Sequence, residues 1–90
     1  MARDLKEASA TGNVTTTVPA RLHSVVLTAG SDAASVIVKD GTGGSARLTL
    51  KAAASTSVVW MAGDPEGVLF GTAIHATLSG TGPVADFEFS

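Results

Sequence analysis

The segment KDGTGGS at 39–45 is the first of four places where the residue types could do chemistry. It could be a glycine-rich loop that cradles a phosphate or a metal, or the turn of a hairpin. A phosphate-binding loop places its Lys and Ser or Thr after the glycines and opens a helix, whereas Lys39 precedes the glycines and strand-like sequence follows. A calcium loop needs several closely spaced oxygen ligands, and Asp40 is the one carboxylate here. Because Asp-Gly between alternating apolar runs is a strong hairpin signal, we predict a turn.

The segment GDPEG at 63–67 contains the second candidate, the paired carboxylates Asp64 and Glu66. Such a pair could act as acid and base, but glycosidases hold their two carboxylates on the rigid walls of a cleft. Pro65 lies between them at a turn position, so the segment predicts an exposed turn, with weak calcium binding as the alternative.

Histidines and serines form the last two candidates. His23 and His75, joined by Asp64, could hold a metal for a small hydrolase, but their spacing matches no metal-binding motif. Both histidines lie on predicted strands, and alternation turns His75 outward, so we predict surface histidines. Ser24 or Ser79 as a nucleophile would need a positioned base and acid, and the chain has no G-x-S-x-G motif. We therefore expect a protein that is not an enzyme, without catalytic, cofactor-binding or metal-binding residues.

Composition narrows the function classes further. The formal net charge is −2 and 16% of the 90 residues are charged, which gives no basis for binding nucleic acid. No apolar run approaches the roughly 18 residues of a membrane span. The N-terminal segment at 1–14 lacks the apolar core of a signal peptide, so we expect a cytoplasmic protein or one released by lysis. The absence of cysteine excludes disulfides, and small folds without such links often gain stability by oligomerising.

The elements that must position these residues fall into two regions. Residues 1–13 are interpreted as an N-terminal arm, in which the charged RDLKEASA could form a helical turn or two before a flexible linker. The arm is either a disordered tail or a segment that orders on a partner subunit. Residues 14–90 read as seven or eight short strands separated by Gly-marked turns. This spacing predicts an all-β domain, a compact antiparallel β-sandwich or a jelly-roll-like barrel.

Side-chain alternation predicts which strands lie at the surface. Three strands, at 46–52, 73–79 and 84–90, alternate apolar and polar residues as half-buried strands do. Three others, at 24–29, 35–40 and 57–62, are apolar on both faces, and the pattern leaves open which face is core. A loop, the arm or a neighbouring subunit must cover the second face, and we favour the subunit. The candidate interface residues are Leu5, Val14, Val18, Val26, Ile37, Val58 and Trp60.

Two segments that cover most of the chain carry a recurrent pattern of turns and small residues. The matching segments are RLHSVVLTAGSDAASVIVKDGTGGSARLTLKAAASTSVVW at 21–60 and GVLFGTAIHATLSGTGPVADFEF at 67–89. They are similar to small head decoration (cement) proteins of tailed phages, with Ile74 and His75 where an aromatic residue often stands. The resemblance implies a β-sandwich or jelly-roll-like fold that binds the outside of the capsid, often as a trimer at local three-fold positions. It carries no catalytic residues.

Two functions follow as expectations. The first is a non-enzymatic virion protein on the capsid surface, whose partners are the major capsid protein and further copies of itself, with a trimer favoured and no nucleic acid or membrane. The alternative is a module of a head or tail fibre that binds a glycan or receptor. Trp60 and the loops at 30–34 and 63–67 would carry that second function.

Overall fold

The computed structural model describes residues 4–63 and 66–90, which form nine β-strands and no helix. The prediction of an all-β antiparallel sandwich is confirmed, with one strand more than the sequence indicated. The strands are β1 (Asp4–Ala8), β2 (Gly12–Thr15), β3 (Ala20–Thr28), β4 (Ala34–Asp40), β5 (Ala46–Ala52), β6 (Ser57–Met61), β7 (Val68–Phe70), β8 (Ile74–Ser79) and β9 (Val84–Phe89).

The strands form two antiparallel sheets. One runs in the order β1-β9-β3-β6, with β7 paired to β3 beyond the end of β6, and the other in the order β2-β8-β4-β5. The hairpin β4–β5 surrounds the segment at 39–45, so the predicted turn is confirmed. Gly41 has a φ of +92° in this turn, a backbone conformation that residues with a Cβ rarely adopt.

The core lies between the two sheets and receives side chains from every strand, with β1 and β6 contributing partly buried ones. Its largest fully buried side chains are Phe70, Phe87, Leu22, Leu27 and Ile74. The strict alternation of β9 is confirmed, because Phe87 is fully buried while Asp86 beside it is exposed. Small residues fill the remaining space, which is why 90 residues can close a two-layer core with few aromatic side chains.

The segment at 1–13 is not separate from the sandwich over its described part. Asp4–Ala8 forms β1 and pairs along β9, so the expected helical turn is wrong. Gly12–Thr15 forms β2, pairs with β8 and crosses the expected boundary between arm and domain. The physical reason is that β9 and β8 would otherwise present free backbone N–H and C=O groups at a sheet edge. An isolated helix of five residues has no comparable stabilisation.

Three bulges interrupt the alternation of side chains. Each adds one residue opposite the partner strand: Val14 in β2, His23 in β3 and Arg47 in β5. A bulge re-aims the extra side chain. Val14 enters the core and is 3% exposed, so its prediction as an interface residue is wrong. Arg47 reaches the end of the sandwich, where its guanidinium lies 5.3 Å from the centre of the Phe70 ring.

In the structure, each strand that is apolar on both faces turns one of them towards the core. Val26 and Ile37 point away from the core, between fully buried neighbours, as the prediction of an outer apolar face requires. In β6 the assignment is the reverse of the predicted interface. Val58 and Trp60 pack against the core, whereas Val59 and Met61 face outward. Register explains the reversal, because Trp60 pairs with the buried Val25.

Candidate functional site

The outer surface of the five-stranded sheet combines carboxylates with apolar side chains, and we call it the acidic face. Strand register sets its residues in two rows: Leu5–Glu88–Ser24–Met61 and Glu7–Asp86–Val26–Val59. Its carboxylates lie on β1 and β9. Arg21 and Leu69, which pair between β3 and β7, also face outward on this sheet. Arg21 is the one cation among these outward positions.

Val26, Val59 and Met61 form a contiguous apolar patch on the acidic face. Val26 and Val59 are directly opposite each other, and Met61 lies two residues farther along the same side of β6. Val59 is 59% exposed and Met61 is 70% exposed. Directly paired side chains on one face are in contact range, and a long side chain such as Met61 also reaches a diagonal neighbour, so these three form one surface. Val59 and Met61 therefore leave apolar surface in water on the acidic face.

The outer surface of the four-stranded sheet has a different chemistry, and we call it the basic face. Its residues are Asn13, Ser35, Ile37, Lys39, Thr49, Lys51, His75, Thr77 and Ser79. It carries Lys39 and Lys51 and no carboxylate at these positions. Ile37 is half-buried and is flanked by Thr77 and Thr49, so the basic face has no exposed patch of large apolar residues.

A recess of about 460 Å³ opens at one end of the basic face, where β4, β5 and β8 meet. Alanines make up half of its lining residues, and Lys51 lies in its wall. Ser35 and Ser79 contribute hydroxyls that lie 2.9 Å apart and bond to each other. The recess exists because the side chains here are too small to fill the space. Its wall therefore fits an apolar group next to a negative charge.

Asp40 links the β4–β5 hairpin turn to the loop at 71–73. Its carboxylate accepts hydrogen bonds from the backbone N–H groups of Gly71, Thr72 and Ala73, at 3.2, 2.8 and 3.3 Å. The bonds from Thr72 and Gly71, with smaller help from Ala73 and Arg47, hold the pKa of Asp40 below its ordinary value against the effect of burial. The amides of this neighbouring loop thus bind the chain's own carboxylate, and the glycines at 41–44 serve the turn.

The two histidines are buried, so their prediction as surface residues is wrong. His23 is 7% exposed, and its Nε2 lies 2.8 Å from the Ser90 hydroxyl. A Cβ at Gly67 would lie 2.9 Å from His23 Nδ1, which shows how closely this backbone covers the ring. His75 is 6% exposed, and its Nδ1 lies 3.0 Å from Asn13 Oδ1.

The histidines do not form the metal site that the sequence left open. They belong to different sheets and have different partners. Asp64, the third residue of that hypothesis, lies outside the described residues together with Pro65. Within the described ranges, no group of three or more His, Cys, Asp or Glu is placed to hold a metal. Ser24 donates to Glu88 at 3.2 Å, and Ser79 bonds Ser35.

The predicted interface residues divide into two groups. Leu5 and Val18 are 79% and 37% exposed, and Val26 and Ile37 face outward. Val14, Val58 and Trp60 lie on the core side. Sequence reasoning missed Val59, Met61 and Leu69 as outward apolar residues. For Val59 and Met61 the available signal was the two-sided pattern of β6, which shows that one face is outward but not which one.

Comparisons with protein-family models, with curated proteins and with solved structures found no match for this chain. Within residues 4–63 and 66–90, the structure holds no helix long and apolar enough to cross a membrane. The class of protein that fold and surface define is therefore a small antiparallel β-sandwich with one acidic, partly apolar outer face and one basic outer face.

Proposed function

We propose that this chain is a non-enzymatic structural protein of a virion, a capsid decoration protein that binds the outside of the major capsid shell and stabilises it. The observation that carries the proposal is the apolar patch on the acidic face, with Met61 70% exposed. Such a patch on a small domain marks a surface made for contact with another protein. The resemblance of 21–60 and 67–89 to head decoration proteins supplies the kind of particle.

The proposed mechanism is burial of surface between neighbouring subunits of the shell. Each square ångström of apolar surface removed from water contributes about 25 cal/mol, so a single copy adds a modest amount. Many copies on one shell add up, and a molecule that binds only the assembled state shifts the equilibrium towards it. In this proposal the copies act as trimers on the capsid surface.

The glycan-binding alternative has no observation in its favour. Trp60 would have to present its ring to solvent as a stacking platform, but it packs against the core opposite Val25. The loop at 63–67 lies partly outside the described residues. No second function is proposed.

Cryo-microscopy of the parent particle tests the proposal directly. We expect density for the sandwich on the outer surface of the head shell. The acidic face should be buried in a contact with another protein subunit and not exposed to solvent. Particles assembled with Met61→Lys should retain fewer copies than particles with Thr42→Lys, a matched change in the exposed β4–β5 turn. A head shell without this chain would overturn the proposed function.

A further inference from the structure

The two outer faces of the sandwich carry opposite charge. The outward positions of the acidic face include Glu7, Asp86 and Glu88, against one cation, Arg21. Those of the basic face include two lysines and no carboxylate. The chain therefore has a negative and a positive surface on opposite sides of the two-layer sandwich, although its formal net charge is only −2.

The same two faces also differ in shape in a complementary way. The acidic face presents the apolar patch, whose most exposed side chain, Met61, projects from the end of β6. The basic face has the alanine-lined recess of about 460 Å³ with Lys51 in its wall. A flexible thioether side chain suits such an irregular apolar recess. The carboxylates of the acidic face would then lie beside a lysine.

We propose that the acidic face binds the basic face of a second copy of this chain, head to tail, with Met61 entering the recess. Charge and shape complementarity both select this occupant, because each half of the contact is present on the chain itself. Pairing of two acidic faces would bring the carboxylates of β1 and β9 near the same carboxylates of the second copy. Like charges that meet across an interface weaken binding.

The contact makes a second copy of the chain the partner of the apolar patch. In that respect the inference rests on the proposed function. A head-to-tail contact forms a closed ring when its rotation closes and an open chain when it does not. It is therefore the type of contact from which a trimer can be built. Its test needs no phage particle, so its failure and the failure of the proposed function are distinguishable.

The test uses two variants that each disable one face of the full chain. Met61→Lys places a cation in the apolar patch, and Lys51→Glu places a carboxylate in the recess. Both positions are exposed, so we expect thermal unfolding like that of wild type at concentrations where wild type is monomeric. Thr42→Lys and Lys6→Glu are the matched controls, because they make the same two charge changes at exposed positions outside both faces.

Sedimentation velocity measures self-association of each variant alone and of the 1:1 mixture. We expect wild type and both controls to associate, and each test variant to have a dissociation constant raised at least about tenfold. Mixing the two test variants should restore association, because the mixture contains one intact acidic face and one intact basic face. Association of Lys51→Glu alone at wild-type strength, or no restoration on mixing, would overturn the head-to-tail contact. So would a wild type that stays monomeric up to about 1 mM.

Discussion

The acidic face and the basic face are built on sheets of the same sandwich, yet they leave different side chains in water. On the acidic face Val59 and Met61 are 59% and 70% exposed beside a row of carboxylates. The basic face surrounds a single half-buried Ile37 with hydroxyls and lysines. Both sheets contribute fully buried side chains to one core, so the fold does not require the difference. The proposed contact with a second molecule would account for it.

The largest expected effect compares the inner and outer sides of one strand. Phe87→Ala removes a fully buried ring from β9 and should lower the free energy of unfolding by about 3–5 kcal/mol. Asp86→Ala, one residue away on the acidic face, should change it by less than about 0.5 kcal/mol. Urea unfolding followed by circular dichroism measures both. Equal losses would contradict the assignment of β9 to a buried and an exposed side.

A smaller effect is expected on the basic face, where His75 is buried although it lies on the outer side of the sheet. His75→Ala removes the ring and its hydrogen bond with Asn13, so the free energy of unfolding should fall by about 1–3 kcal/mol. Thr77→Ala, the next outward position on β8, serves as control and should stay within about 0.5 kcal/mol of wild type. If His75→Ala left the free energy of unfolding unchanged, this ring would not contribute to the stability of the basic face.

The third effect lies in the acid range and concerns Asp40, whose carboxylate joins the hairpin turn to the loop at 71–73. Its pKa is lower in the folded than in the unfolded chain, so the stability it contributes is present above about pH 4 and lost as the pH falls through the folded pKa. Asp40→Asn should therefore lower the urea midpoint at pH 7 and flatten its fall between about pH 5 and pH 2.

Asp32→Asn is the control for this prediction, since Asp32 is an exposed carboxylate in the loop before β4. It should leave the urea midpoint at pH 7 close to that of wild type. If Asp40→Asn kept both the wild-type midpoint and the wild-type acid dependence, the three backbone hydrogen bonds would not contribute to stability in solution.

The smallest effect on stability is expected from the apolar patch itself. Met61→Ser should change the free energy of unfolding by less than about 0.5 kcal/mol, because the side chain is already 70% exposed. Ile37→Thr, which makes the basic face fully polar at its centre, is the matched change. Met61→Ser should weaken self-association more than Ile37→Thr in sedimentation velocity, because Met61 enters the recess and Ile37 does not line it. Equal weakening by the two changes would remove the distinction between the faces.

The strands and the turn could be predicted from the sequence because their signals are local. Alternation in β9 places Phe87 inside, and Asp-Gly between apolar runs marks the β4–β5 hairpin. The role of Asp40 could not be predicted in this way. Its three amide partners lie more than 30 residues further along the chain, and no pattern near Asp40 names them.

The wrong predictions have one physical cause in common, which is pairing between distant segments. Bulges opposite β8 and β9 turn Val14 into the core and set His23 beneath the loop before β7. The core face of β6 depends on its register with β3, which places Val58 and Trp60 inward. A period of two residues cannot show where an extra residue enters a strand, nor which strand becomes its neighbour.

The mass of the wild-type protein in solution tests the central claim most directly, namely that copies of this chain bind one another. Multi-angle light scattering over a range of concentrations reports it without any partner. We expect a mass above the 8.9 kDa of one chain that rises with concentration or settles at about three times that value. A mass of 8.9 kDa at every concentration would contradict the claim that copies of this chain bind one another.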